Sequence, residues 1–182
     1  MTGKAPMTER ILRAADRLFY ARGIRAVGVD TVAAEAGISK RSLYDSFPSK
    51  DALVAAYLER RFSPPPASDA PAREQVLAVF DRLERSFADD GFRGCPFVNA
   101  VTELGESCQA AALAARYKEG RRLWLREILD RAGAAEPDRL ATQISMLVDG
   151  AITAMLVRND PLAAAAARDA AGILMTAAGA GA

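Results

Sequence analysis

Apolar residues recur at helical spacing almost from the start of the chain. Ile11, Ala14, Ala15, Leu18 and Phe19 share one face of a helix predicted to be capped by Thr8 and to run to about Arg22. Gly23 follows as a stop. Ile24, Val27 and Val29 then form a short extended link that can plug a small core. A second helix is predicted over 31–36 with Asp30 as its N-cap, and Gly37 makes the turn, where left-handed backbone suits glycine. Ser39 caps a third helix that ends near Phe47. Pro48 breaks the chain, and Ser49 caps a fourth helix over 50–62.

Residues 63–71, SPPPASDAP, read as a loop between a small head and a larger body. The body pattern predicts five more helices. The first, about 72–90, has Pro71 at N1 and Val76, Val79, Phe80, Leu83 and Phe87 on one face. The others cover about 96–105 after Gly94-Cys95-Pro96, 107–132 closed by Gly133, 137–158 opened by Pro137, and 161–177 opened by Asp160-Pro161. The tail from Gly179 is expected to fray. No strand pattern and no repeat is visible. The expected fold is all-α with about nine helices, an N-terminal head over 7–62 and a C-terminal body over 71–178.

Composition supports helix over sheet. Of the 182 residues 51% are apolar, and alanine dominates that share. No run approaches the roughly 18–20 apolar residues that span a bilayer, so no membrane partner is expected. The N-terminus lacks the apolar core of a leader, so a cytoplasmic location is expected. Histidine is absent, which removes the commonest general base and metal ligand. Two cysteines without a CxxC and scattered carboxylates give no metal site, no cofactor site and no catalytic set. The chain does not read as an enzyme. Its net charge of +1 is unevenly placed, with +4 on residues 1–61 and −3 on the rest. One basic end suits contact with nucleic acid.

Residues 31–50 carry the chemistry. Ala33 lies four residues before Gly37, where only a small side chain lets two helices cross closely. Val32, Ala36, Ile38 and Leu43 fill the seam. Ser39, Lys40, Arg41, Ser42, Tyr44 and Asp45 are then free to face outward. Arginine and lysine reach guanine edges or phosphates, and serine can donate to either. Tyr44 can place its hydroxyl on a phosphate, and Lys50 opens the fourth helix with a cation. That is the form of a helix-turn-helix. The competing reading is an αα-hairpin with a solvated basic face.

The stretch from Thr8 to Arg61 resembles the DNA-binding head of TetR/AcrR-type transcriptional regulators. The resemblance rests on ILRAADRLFYARG and VGVDTVAAEAGISKRSLYDSFPSKDAL, about a third of the chain. It implies a double-stranded DNA operator contacted by Thr31, Ser39, Lys40, Arg41, Ser42, Tyr44 and Lys50. Ser46 stands where the family usually has a phosphate-touching histidine, which implies a weaker contact. The family resemblance also implies a homodimeric repressor released from a pseudo-palindromic operator by a small molecule, with the body binding ligand and dimerising. Gly94-Cys-Pro-Phe-Val-Asn-Ala100 looks like a motif of one subgroup of these regulators.

In the body, Cys95 reads as a small buried residue, with a thiol sensor beside a helix N-terminus as the alternative. Cys108 reads as structural. Phe80, Phe87, Phe92, Phe97, Tyr117 and Trp124 at helical spacing suit a core, and as a set they lie on helices that enclose a cavity in similar proteins. The expected effector is small and largely apolar, held by Phe80, Phe97, Val98, Asn99, Glu103, Tyr117, Trp124 and Met146. The faces Ile144, Leu147, Val148, Ala151, Ile152, Met155 and Leu162, Ala166, Ala170, Ile173, Leu174 are expected to be shared between intramolecular core and dimer interface. The rival class is a helical ligand-binding or interaction protein with weakened DNA binding, for which Ser46 is the hint.

Overall fold

Every helix leaves four N–H groups at its start and four carbonyls at its end to be met by something else. How this chain meets them sets most of its element bounds. The computed structural model describes residues 6–62, 68–105 and 109–180. In order the helices are α1 (Met7–Arg22), α2 (Val29–Ala36), α3 (Lys40–Ser46), α4 (Lys50–Arg61), α5 (Ala72–Phe87), α6 (Pro96–Leu104), α7 (Gln109–Arg131), α8 (Pro137–Arg158) and α9 (Ala163–Ala177). No strand occurs among the described residues.

The caps divide into those the side chains supply and those they do not. Ser39 Oγ accepts the Ser42 N–H at 3.1 Å, and Ser49 Oγ accepts that of Ala52 at 3.0 Å, as expected at α3 and α4. Thr8 and Asp30 do not cap. Pro6, with its fixed φ, already supplies a carbonyl to Arg10 N–H, so α1 begins at Met7 and Thr8 lies inside it. Extended Gly28 takes the N-cap of α2, its carbonyl accepts from Thr31 and Val32, and Asp30 falls in the first turn. Asp160 does not cap the last helix either: its carboxylate accepts Leu162 N–H at 3.1 Å in the preceding turn, and α9 starts at Ala163 with Leu162 as its N-cap.

The tail also differs from expectation. Gly179 takes φ +78°, its N–H donates to Thr176 O, and Ala180 N–H reaches back to Met175 O. This pair of bonds is a Schellman close. It leaves Ala180 fully buried rather than frayed. The start predicted for the seventh helix at 107, and Cys108, lie outside the described residues.

The described residues form two compact units. One is built from α1–α4, α6 and the first nine residues of α7, up to Tyr117. Its interior holds Ile11, Phe19, Val27, Val32, Leu43, Leu53, Tyr57 and Leu58, none more than 3% exposed. Phe19 meets Tyr57 edge-on at 5.5 Å. Burial pushes the Tyr57 hydroxyl well above the usual phenol range.

The other unit comprises α5, the rest of α7, α8 and α9. Val76, Phe80, Leu125, Ile128, Leu129, Leu140, Ile144 and Val148 form its core. Alanine at 163, 164, 167 and 171, with Gly172, makes one side of α9 flat enough to bury against neighbouring helices. A Cβ on Gly172 would stand 3.0 Å from Arg73 Nη2, and Arg73 donates to Gly172 O and Thr176 Oγ1. Among the described residues one helix, α8, is long and apolar enough by length and composition to cross a membrane. Its apolar residues serve a core face and an outer face, and Asp149 in it is ion-paired.

Candidate nucleic-acid interface

The turn between α2 and α3 is fixed from three sides. Gly37 sits at φ +64°, ψ +43°, a left-handed conformation that glycine adopts without Cβ strain. Its N–H donates to Ala34 O, and Ile38 N–H donates to Ala33 O. Arg10 of α1 donates to the carbonyls of Ala36 and Gly37, placing a cation on the C-terminal end of α2. A Cβ on Gly37 would meet that guanidinium at 3.0 Å. Ala33 is 3% exposed at the seam, as its spacing from the turn predicts, and Val32 and Leu43 are fully buried beside it.

This frame leaves one side of α2 and α3 polar and open. Thr31, Ser39, Lys40, Arg41 and Tyr44 are exposed, while Ser42 and Lys50 are half-buried. All seven belong to the same compact unit. Their states differ. Lys40 Nζ pairs with Asp30 at 2.9 Å, and that hydrogen bond and charge raise the lysine pKa. Arg41 makes no ion pair among the described residues. Ser39 and Ser42 share a hydroxyl–hydroxyl bond of 2.9 Å. Ser46 donates to Ser42 O at 3.2 Å, so its hydroxyl hydrogen is used within α3.

Two further ion pairs of this unit brace α1 against α4. Arg60 bonds both Glu9 carboxylate oxygens, and Arg61 bonds both Asp16 oxygens while lying 4.3 Å above the Tyr20 ring. Arg10, Arg60 and Arg61 thus brace the fold, while Arg41 and Lys50 make no ion pair among the described residues. Sequence spacing alone does not reveal the Arg10 and Asp30 roles, because their partners lie 26 and 10 residues away.

The eight residues expected around an effector are divided between the units. Phe97 is buried and stacks on Tyr117 at 4.0 Å, Tyr117 meets Phe62 edge-on at 5.6 Å, Val98 is 44% exposed, and Asn99 is half-buried. Glu103 lies in the same unit, where its carboxylate accepts the Arg25 backbone N–H at 2.9 Å. Cys95, the N-cap of α6, is buried nearby. In the other unit Phe80 is buried in the core, Met146 is exposed, and Trp124 borders a surface groove of about 410 Å³ with Gln75, Asp81, Arg82 and Arg168. Lys118 and Arg121 both bond Asp149. Partial burial raises the Asp149 pKa, but these two cations outweigh it and hold the carboxyl below its usual range.

Comparison with known proteins agrees with this geometry. Residues 11–57 match the family described as bacterial regulatory proteins, tetR family. A crystal structure of a TetR-type transcriptional regulator from Streptomyces avermitilis is 34% identical, with a TM-score of 0.84 over 95% of this chain and 98% of that one. SCO4454, a TetR-family regulator from Streptomyces coelicolor, is 29% identical with a TM-score of 0.85, covering 95% and 96%. An uncharacterised HTH-type transcriptional regulator of Mycobacterium tuberculosis is 44% identical over 52 residues, which is 29% of this chain and only 26% of that relative. The similarity to that relative is confined to a short segment, whereas the Streptomyces structures match from end to end. A polar, partly cationic recognition helix on a head of this form, carried by a chain that matches a family relative over nearly its full length, places the protein in the TetR family of DNA-binding transcriptional regulators, a non-enzymatic class.

Proposed function

We propose that this regulator is a homodimeric, cytoplasmic repressor that leaves a pseudo-palindromic operator when it binds a small, largely apolar effector. Residues 7–62 read DNA, and residues 71–178 bind the effector and dimerise. The observation that carries the dimer is the outer surface of α8 and α9. Met146, Val157, Leu162 and Ile173 are each at least 69% exposed in the single chain. Large apolar side chains gathered on two neighbouring helices mark an interaction face. A two-fold dimer presents two recognition helices to two half-sites, which is what a pseudo-palindrome requires.

On DNA, Arg41 reads a base edge and Lys50 and Tyr44 hold phosphates, with Thr31, Ser39, Lys40 and Ser42 completing the contact. The supporting observation is that Arg41 is exposed and makes no ion pair among the described residues. An operator duplex selected from random sequence with the wild-type protein supplies the test. Arg41→Ala should cost about 1–3 kcal/mol and relax one base position. Lys50→Ala should weaken every sequence alike and flatten the salt dependence by roughly one unit of slope. Unchanged binding in both variants at moderate salt refutes the contact assignment. Effector binding is read from the fluorescence of Trp124, the sole tryptophan. A true inducer must release the operator and bind more weakly when DNA is present, since coupling is reciprocal.

A further inference from the structure

We propose that Glu103 is a positioning residue for operator binding: its carboxylate, on the last turn of α6, holds the loop that hangs α2 and α3 from α1. The bond joins residues 78 positions apart, from the Arg25 N–H to Glu103 Oε2 at 2.9 Å. The loop is shaped to receive it. Gly23 closes α1 by donating to Phe19 O and takes φ +89°. A Cβ there would stand 3.1 and 3.2 Å from the two Glu103 carboxylate oxygens. Glycine at 23 therefore serves both the backbone angle and the approach of the carboxylate. Beyond the grip, Ile24 and Val27 are buried, and extended Gly28 starts α2.

The opposite end of α6 is tied as well. Phe97 in its first turn stacks on Tyr117, and Tyr117 meets Phe62, the residue that ends α4. Thus α6 contacts the α1–α2 loop directly, through Glu103, and reaches the end of α4 only by way of Tyr117 of α7. Glu103 touches no DNA in this arrangement. It acts by fixing where α2 leaves α1. The inference stands on DNA binding alone and is independent of the effector and of the dimer.

The test compares wild type with Glu103→Ala and Glu103→Gln on the selected operator and on a scrambled duplex, alongside amide exchange at Arg25 and urea unfolding. Glu103→Ala should weaken operator binding by about tenfold, within the range of substitutions that alter coupling without touching the ligand. It should also speed Arg25 exchange while leaving scrambled-duplex binding no weaker. Glu103→Gln keeps an acceptor oxygen and should restore both readouts toward wild type. Gly23→Ala, which crowds the same oxygens, should mimic Glu103→Ala. Operator affinity unchanged in Glu103→Ala overturns the proposal. So does Arg25 exchange unchanged in that variant, or a loss of binding that merely follows the unfolded fraction in urea.

Discussion

Arg10 shows how much a single side chain contributes to this head. It leaves α1 to bond the carbonyls of Ala36 and Gly37, the two groups that the turn would otherwise expose without partners. A cation at a helix C-terminus also meets the negative end of the helix dipole. Removing a hydrogen bond that involves a charged group costs about 1.5–3 kcal/mol in typical series, and partial exposure reduces it here to about 1 kcal/mol. Arg10→Ala should therefore lower urea stability by that amount and weaken operator binding by loosening the turn. Arg10→Lys should recover part of the stability but not all, because one ammonium does not reproduce the guanidinium fork. Equal stability of Arg10→Ala and wild type would show that the turn holds itself through Gly37 alone. Asp30 makes a related point. It was expected to cap α2, yet it lies one residue inside the first turn and restrains Lys40, a recognition-helix cation.

At the scale of helices, the sequence was most legible where a local rule decides the outcome. Ser39, Gly37, Ser49 and Pro137 mark their boundaries correctly because each acts on backbone groups within a few residues. Legibility failed where a neighbour competes. Pro6 and Gly28 took the caps expected of Thr8 and Asp30, and a Schellman close buried a tail that composition marks as loose. The site follows the same division. The outward set on α3 is a matter of period, so it could be read from the sequence. Glu103 stands out in the sequence only as an effector candidate, and its bond to Arg25 could not be read, because that partner lies 78 residues away.

The link between α7 and α8 is another long-range feature with a testable pH signature. Lys118 and Arg121 hold Asp149 ionised against partial burial, so its pKa is lower folded than unfolded. A carboxyl of this kind contributes stability above its unfolded pKa, and that contribution is lost as pH falls through the folded value. Asp149→Asn should thus be less stable than wild type near neutral pH. The difference should shrink as pH falls through and below the ordinary carboxylate range. A gap in urea midpoints that stays constant from pH 7 to the acid limit would assign the loss to packing instead.

For the whole molecule, the decisive question is what covers α8 and α9. Their inner faces are accounted for, since Ile144, Val148 and Ala151 of α8 and Ala164, Ala171 and Met175 of α9 are buried within the unit. Their outer faces are not. Val157 is 75% exposed and Ile173 70%. Gly150, between Met146 and Val157 on α8, has open space where a Cβ would stand, which permits close approach of another helix. If two copies meet here, Val157→Asp with Ile173→Asp buries four carboxylates per dimer without partners, a cost no interface of this kind tolerates. In the single chain the same changes replace exposed side chains and leave the core untouched. Sedimentation should therefore show wild type as a dimer at micromolar concentration and the double variant as a monomer of undiminished helix content. The wild-type melting temperature should rise with protein concentration, and that of the variant should not. Operator binding should collapse with the dimer, because each head alone holds only one half-site and the gain from binding both together is lost. A monomeric wild type, or a double variant that remains dimeric, would move the assembly face elsewhere on the molecule.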